Sequence, residues 1–163
     1  MREAYPLTWA YLELNRDRLE ARDAGRSKGP SWYGFSRNQN LEAIWRPKII
    51  VPYMNHQARA AGDPEGTFAI VNVTTGGYFV APFDHALIGY LTAALNSRHA
   101  EIWWREHATP HAGGYFGLTA RAIELLPVPD PADLTPAALA TAAQPTGPDD
   151  DPFGRMLAEY LPG

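Results

Sequence analysis

Cysteine is absent from all 163 residues of the chain. Without cysteine the protein has no disulfide framework and no thiolate metal site. The sequence also lacks any apolar run close to the roughly 20 residues that cross a bilayer, and its first residues contain no signal-peptide core. We therefore expect a cytoplasmic protein with no membrane partner.

Sequence motifs of several enzyme classes are missing as well. There is no Walker phosphate loop, no Gly-x-Gly-x-x-Gly fingerprint and no Gly-x-Ser-x-Gly elbow. The Asn-Pro-Pro-aromatic or Asp-Pro-Pro-aromatic tetrapeptide of an amino-methyltransferase is absent, and so are the strand-borne carboxylates of a magnesium-dependent nuclease. We therefore predict no catalytic residue and no bound cofactor in this chain.

Three histidines that lie close together leave one enzymatic alternative open. With Glu106 they could hold a metal ion in a small hydrolase, and they are His99, His107 and His111. Their spacing is not that of a known zinc motif, and ordinary surface histidines are the other interpretation. We therefore predict no metal site but keep the hydrolase as an alternative.

The net charge of −4 hides an uneven distribution. After Pro127 the chain has six acidic residues against Arg155 alone, hence −5, whereas the window 16–59 has nine Arg and Lys against four Asp and Glu, hence +5. Such a window is compatible with a polyanion-binding surface. A solvated charged face is the alternative.

Hydrophobic periodicity predicts an α+β fold, with a small mixed or antiparallel sheet and packed helices. We expect helices over 6–22, 87–95, 98–107 and 119–126, and strands over 48–53, 67–73 and 78–80, with a hairpin turn at 75–77. Residues 1–129 then form one domain. Residues 130–163, rich in proline, alanine and aspartate, form a tail with few groups to bury and at most a short terminal helix.

Several segments, taken in order, resemble a known family. They cover about residues 5–129 and read YPLTWAYLELNRDRLEAR, WYGFSRNQN, WRPKIIVPY, GDPEGTFAIVN, GGYFVAP, LIGYLTAALNSRHAEIWW and GGYFGLTARAIELLPVP. The Pro-Lys-Ile strand, the Leu-Asn-Ser helix end and the Leu-Pro-Val-Pro finish are together the most specific. The series resembles the C-terminal specificity domain of TaqI-type adenine-specific DNA methyltransferases, which include type IIG restriction–modification enzymes and related phage-defence proteins.

The resemblance implies a target-recognition domain for double-stranded DNA. In that family a separate N-terminal domain binds S-adenosylmethionine and methylates adenine N6, while the specificity domain grips the duplex. The chain is then expected to be a fragment or a subunit that works with a methyltransferase catalytic domain, in cis or as a separate polypeptide. A module that docks a methyltransferase or nuclease subunit is the alternative.

Candidate DNA-contacting residues follow from loop position and residue type. Cations suit phosphates, whereas Asn, Gln and aromatic side chains suit base edges and base faces. The phosphate candidates are Arg26, Lys28, Arg37, Arg46, Lys48 and Arg59. The base-contacting candidates are Trp32, Tyr33, Asn38, Gln39, Asn40 and Tyr115.

Other prominent residues have structural interpretations. We expect Asn96 and Ser97 to satisfy backbone groups at a helix end, and Pro127 and Pro129 to terminate a helix. Of the adjacent pair Trp103 and Trp104, one is expected in the core and the other partly buried, because neighbours on a helix point about 100° apart. For Trp32 and Tyr33, a loop packed on its own aromatic rings is the alternative to base contact.

Overall fold

The computed structural model describes residues 1–35, 41–70, 76–144 and 150–160. The chain divides into two compact units, residues 1–41 and residues 42–163. The first unit contains α1 (Pro6–Leu14), α2 (Arg16–Glu20) and a 3-10 helix, Arg22–Gly25. The predicted helix over 6–22 is therefore divided at Asn15, whose side-chain amide donates to the carbonyl of Tyr11 at 2.8 Å. Asparagine favours such local bonds over continued helix.

The second unit contains two small antiparallel sheets and five α-helices among its described residues. The first sheet has the order β3-β1-β4, and the second has the order β2-β6-β5. The strands are β1 (Lys48–Val51), β2 (Met54–Asn55), β3 (Ala61–Asp63), β4 (Tyr78–Val80), β5 (Thr109–Pro110) and β6 (Phe116–Gly117). The helices are α3 (Ile88–Asn96), α4 (Arg98–His107), α5 (Ala120–Glu124), α6 (Pro136–Ala142) and α7 (Pro152–Tyr160). The predicted α+β class is confirmed.

Strand β1 forms where the β-branched run predicts it, between Pro47 and Pro52. It pairs antiparallel with both β3 and β4. The strand predicted over 67–73 is not found at 67–70, and 71–75, including the first residue of the predicted turn, lie outside the described residues. The amides of Thr67 and Phe68 donate to the Asp63 carboxylate instead of a strand ladder.

The main core lies between the first sheet and the helices that follow it. Its buried members include Ile49 and Val51 of β1, Ile88 and Leu95 of α3, and Trp104 of α4. Trp103 is partly buried and donates from its indole nitrogen to the carbonyl of Ala122 at 3.0 Å. The predicted division of roles between the two tryptophans is confirmed.

The junction between α3 and α4 is held by two polar side chains. Ser97 Oγ donates to the carbonyl of Ala94 at 2.6 Å and accepts from the amide of Ala100 at 3.1 Å, so it caps α4. The Asn96 amide group donates to the carbonyl of Ala60 at 2.9 Å and accepts from its amide at 2.7 Å. The predicted structural roles of Asn96 and Ser97 are confirmed.

The segment after Pro129 differs from the tail that its composition predicts. Helices α6 and α7 pack on α3 in a second core that contains Tyr90, Ala138, Ala142, Phe153 and Met156. Gly89 of α3 and Ala143, which follows α6, permit the close approach of these two helices. A β carbon on Gly89 would lie only 3.1 Å from the Ala143 Cβ. The expectation of few groups to bury is corrected, whereas the short terminal helix is present as α7.

Tyr90 anchors the start of this segment. Its hydroxyl donates to the carbonyl of Pro129 at 2.8 Å. Burial, with a smaller contribution from the charge of Asp130, raises the pKa of Tyr90 to about 12. Among the described residues, none of the helices is long and apolar enough to cross a membrane.

Candidate nucleic-acid interface

The first unit contains a cluster of three aromatic side chains. Trp9, Trp32 and Tyr33 meet edge-on, with ring centroids 5.3 to 5.7 Å apart. The Arg16 guanidinium lies 5.0 Å from the Trp32 ring centroid, and Arg22 donates to the carbonyls of Trp32 (2.8 Å) and Gly34 (3.0 Å). The loop that carries Trp32 and Tyr33 is therefore packed on its own aromatic rings, which was the alternative to base contact.

This packing corrects the assignment of Trp32 as a base-contacting residue. Its side chain is only 4% exposed and is enclosed by the cluster, so its faces are not free to stack on a base. Tyr33 is half-buried in the same cluster and stays a candidate for base contact. Four further candidates, Arg37, Asn38, Gln39 and Asn40, lie outside the described residues.

Two cations of the first unit remain exposed beside a sharp turn. Asp23, Ala24 and Gly25 all have positive φ, and Arg26 and Lys28, which follow this turn, are exposed. Lys28 lines a cleft of about 490 Å³ that Asp17 and Glu20 also line, so its charge is partly offset there. Arg26 is also exposed, and its Nε donates to the Asp23 carbonyl at 3.1 Å.

Lys48 does not lie on a surface. Its Nζ is 2.6 Å from Asp63 Oδ2 and 3.3 Å from the carbonyl of Arg46, and the side chain has no solvent exposure. Burial would raise the pKa of Asp63, but hydrogen bonds from Lys48 and from the amides of Phe68 and Thr67 lower that pKa to about 2. Lys48 is therefore corrected from a phosphate contact to half of an internal ion pair.

Arg46 and Arg59, in contrast, are exposed on anchored backbone. The carbonyl of Arg46 accepts from Lys48, and Gly66, with a φ of 64°, packs so tightly that a β carbon would lie 2.2 Å from the Trp45 carbonyl oxygen. Arg59 precedes Ala60, and the side chain of Asn96 bonds both the amide and the carbonyl of Ala60. Because β1 and β3 are antiparallel, Arg46 and Arg59 lie near opposite ends of this strand pair.

Tyr115 is 46% exposed and lies in the loop between β5 and β6. Its ring meets the His56 ring edge-on at 5.2 Å. Nothing in the sequence links His56 to Tyr115, because the pairing of β2 with β6 that brings them together is not visible there.

Two of the histidines that could have formed a metal site make separate contacts with other groups. A ring nitrogen of His99 lies 2.8 Å from the Pro127 carbonyl oxygen, and His107 stacks on Trp103 at 3.7 Å between ring centroids. Across the described ranges, no group of three or more His, Cys, Asp or Glu side chains could hold a metal ion. The structure therefore brings together no metal-binding set from His99, Glu106, His107 and His111.

Comparison of the chain with protein-family models gives no match. Comparison with curated protein sequences also gives no significant match.

Proposed function

We propose that the chain is a non-catalytic target-recognition domain that selects a double-stranded DNA sequence for an adenine-specific DNA methyltransferase or restriction–modification enzyme. The ordered motif series over residues 5–129 supports this proposal, because its members resemble the specificity domain of TaqI-type enzymes. S-adenosylmethionine and the methyl-transfer chemistry then belong to a partner catalytic domain. The chain itself positions the DNA duplex and selects its sequence, as part of phage defence.

The exposure of Arg46 and Arg59 is the observation that carries the proposal furthest. Both residues are exposed, the carbonyl of Arg46 accepts from Lys48, and Asn96 bonds the backbone of Ala60 next to Arg59. Fixed cations near opposite ends of one strand pair can neutralise separate phosphates and so set the orientation of a duplex. Arg26 and Lys28 add cations from the first unit, and they lie in the window 16–59, which carries +5 although the whole chain is at −4.

Selection from a random duplex pool tests the proposal. The chain, alone and joined to the catalytic domain of a TaqI-type adenine methyltransferase, is mixed with the pool, and the retained duplexes are sequenced. We expect a shared motif among them and an affinity that falls as salt rises, since bound phosphates release counterions. Retention of no duplex by either form would contradict the proposal.

A protein-docking module is the second candidate, and one observation favours it. Helix α1 presents Leu7, Tyr11 and Leu14 at helical spacing, and the two leucines are 87% and 85% exposed. Exposed apolar stripes of this kind are typical of interaction surfaces. Leu7→Ser with Leu14→Ser should release a methyltransferase or nuclease subunit if docking is the function, whereas Arg46→Ala with Arg59→Ala should leave docking intact.

A further inference from the structure

The second sheet carries a short hairpin with a glycine tip. Strand β6 pairs with β2 on one side and with β5 on the other. The loop between β5 and β6 is closed by the His111 amide, which donates to the Tyr115 carbonyl at 2.8 Å. Gly113 and Gly114 have φ values of 75° and 77°, which other residues rarely adopt, so this loop conformation depends on the two glycines.

Strand alternation places several ring side chains on one face of this hairpin. Phe116 and its partner Asn55 are buried, so their neighbours in sequence point outward. The outward positions next to them are Met54, His56, Tyr115 and Gly117, and all but Gly117 are exposed. This face of the second sheet therefore presents the rings of His56 and Tyr115 to solvent.

Gly117 provides the space in which two of the rings lie. A β carbon there would be 2.7 Å from His111 Nε2 and 3.3 Å from the Tyr53 hydroxyl oxygen. These two side chains cover Gly117, which explains why the glycine is buried on an otherwise exposed face. We call the side chains of Tyr53, His56, His111 and Tyr115 the ring patch.

Arg105 of α4 holds the ring patch in place. Its guanidinium donates to the carbonyl of His56 at 3.1 Å and lies 5.5 Å from the Phe116 ring centroid. The same group forms an ion pair with Glu101 at 2.9 Å, so its charge is largely committed. Arg105 is therefore a positioning residue for His56.

The chemistry of the ring patch suits nucleic acid. Residues 52–60 and 109–117 contain no Asp or Glu, although the chain has 18 acidic residues in total. Imidazole and phenol groups donate hydrogen bonds to phosphate oxygens, and their rings stack on bases.

We propose that the ring patch is a second DNA-contacting surface of the chain. His56 and His111 contact backbone phosphates, and Tyr115 contacts a base. This inference rests on the proposed function, and it adds side chains other than the cations at Arg46 and Arg59.

Affinity measurements with two matched pairs of variants test the inference. His111→Ala and Tyr115→Ala remove members of the ring patch, whereas His85→Ala and Phe83→Ala remove an exposed imidazole and an exposed ring elsewhere in the same unit. With the duplex selected from the pool, we expect each patch variant to bind about ten-fold more weakly, as for loss of one stacked or bonded group. The two control variants should stay within about two-fold of the unchanged chain.

A second measurement does not depend on variants. Imidazole resonances of the unchanged protein are followed by NMR as the selected duplex is added, and those of His56 and His111 should shift while that of His85 stays in place. Unchanged affinity of both patch variants together with unshifted His56 and His111 would overturn the inference and leave the proposed function standing. Weaker binding of a protein subunit by the patch variants, with DNA affinity unchanged, would also overturn it. A chain that retains no duplex at all would remove both proposals.

Discussion

Lys48 and Asp63 lie directly opposite each other on β1 and β3, and their charged groups meet at 2.6 Å inside the protein. The Lys48 side chain has no solvent exposure and that of Asp63 has 3%. The carboxylate also accepts from the amides of Thr67 and Phe68, so it organises the turn that follows β3. Lys48 Nζ also donates to the carbonyl of Arg46, so the pair joins the first sheet both to this turn and to the segment before β1.

Removal of one partner should destabilise the second unit strongly. Asp63→Asn leaves the Lys48 ammonium buried without its counter-charge, which is far more costly than loss of an exposed pair. We expect the melting temperature to fall by about 10 °C, measured by circular dichroism. Glu65→Gln, two residues further on and exposed, is the control and should change it little. An equal melting temperature for Asp63→Asn and Glu65→Gln would contradict the buried pair.

Acid should weaken the protein in a window set by the same carboxylate. The pKa of Asp63 is lowered from 3.8 to about 2 in the folded protein. A lowered pKa means that the folded state binds this proton less well than the unfolded chain, so the stabilisation is fully present above pH 3.8 and is lost as the pH falls toward 2. Urea unfolding between pH 5 and pH 2 should therefore show a steeper loss of stability for the unchanged protein than for Asp63→Asn. Parallel pH profiles for the two proteins would argue against this assignment.

Local sequence patterns were enough to predict β1 and the helices that carry Leu95 and Trp104. The caps at Asp84, Ser97 and Thr119 are equally local, since their side chains each accept from a nearby backbone amide. All of these depend on neighbours within a few residues. The apolar spacing and the capping residue are therefore visible in the sequence itself.

Features that depend on distant partners could not be predicted in the same way. Lys48 looks like a surface cation until Asp63, fifteen residues later, is placed opposite it. Trp32 looks like a loop aromatic until Trp9 and Arg22 enclose it. His56 and Tyr115 meet only through the pairing of β2 with β6. The candidate site therefore changed more than the fold class did.

The segment after Pro129 should prove to be part of the folded core. Phe153 is fully buried, and its ring lies 5.6 Å from that of Tyr90. Phe153→Ala leaves a cavity between α7 and α3, and we expect it to cost about 3–5 kcal/mol in the free energy of unfolding by urea. Phe83→Ala, which removes a fully exposed ring, is the matched control and should stay within about 0.5 kcal/mol. Equal effects of the two substitutions would mean that the segment is a tail after all.

The salt dependence of DNA binding should separate surface cations from the internal one. Each phosphate that a cation neutralises contributes about −0.9 to the slope of log affinity against log salt. Arg46→Ala and Arg59→Ala should therefore each reduce the steepness by about one, because both guanidinium groups are exposed. Lys48→Met should leave the slope unchanged in measurements made below its melting temperature, because Lys48 Nζ is enclosed with Asp63 and reaches no phosphate. A slope that flattens for Lys48→Met but not for the arginine variants would place the DNA on a surface that this structure does not form.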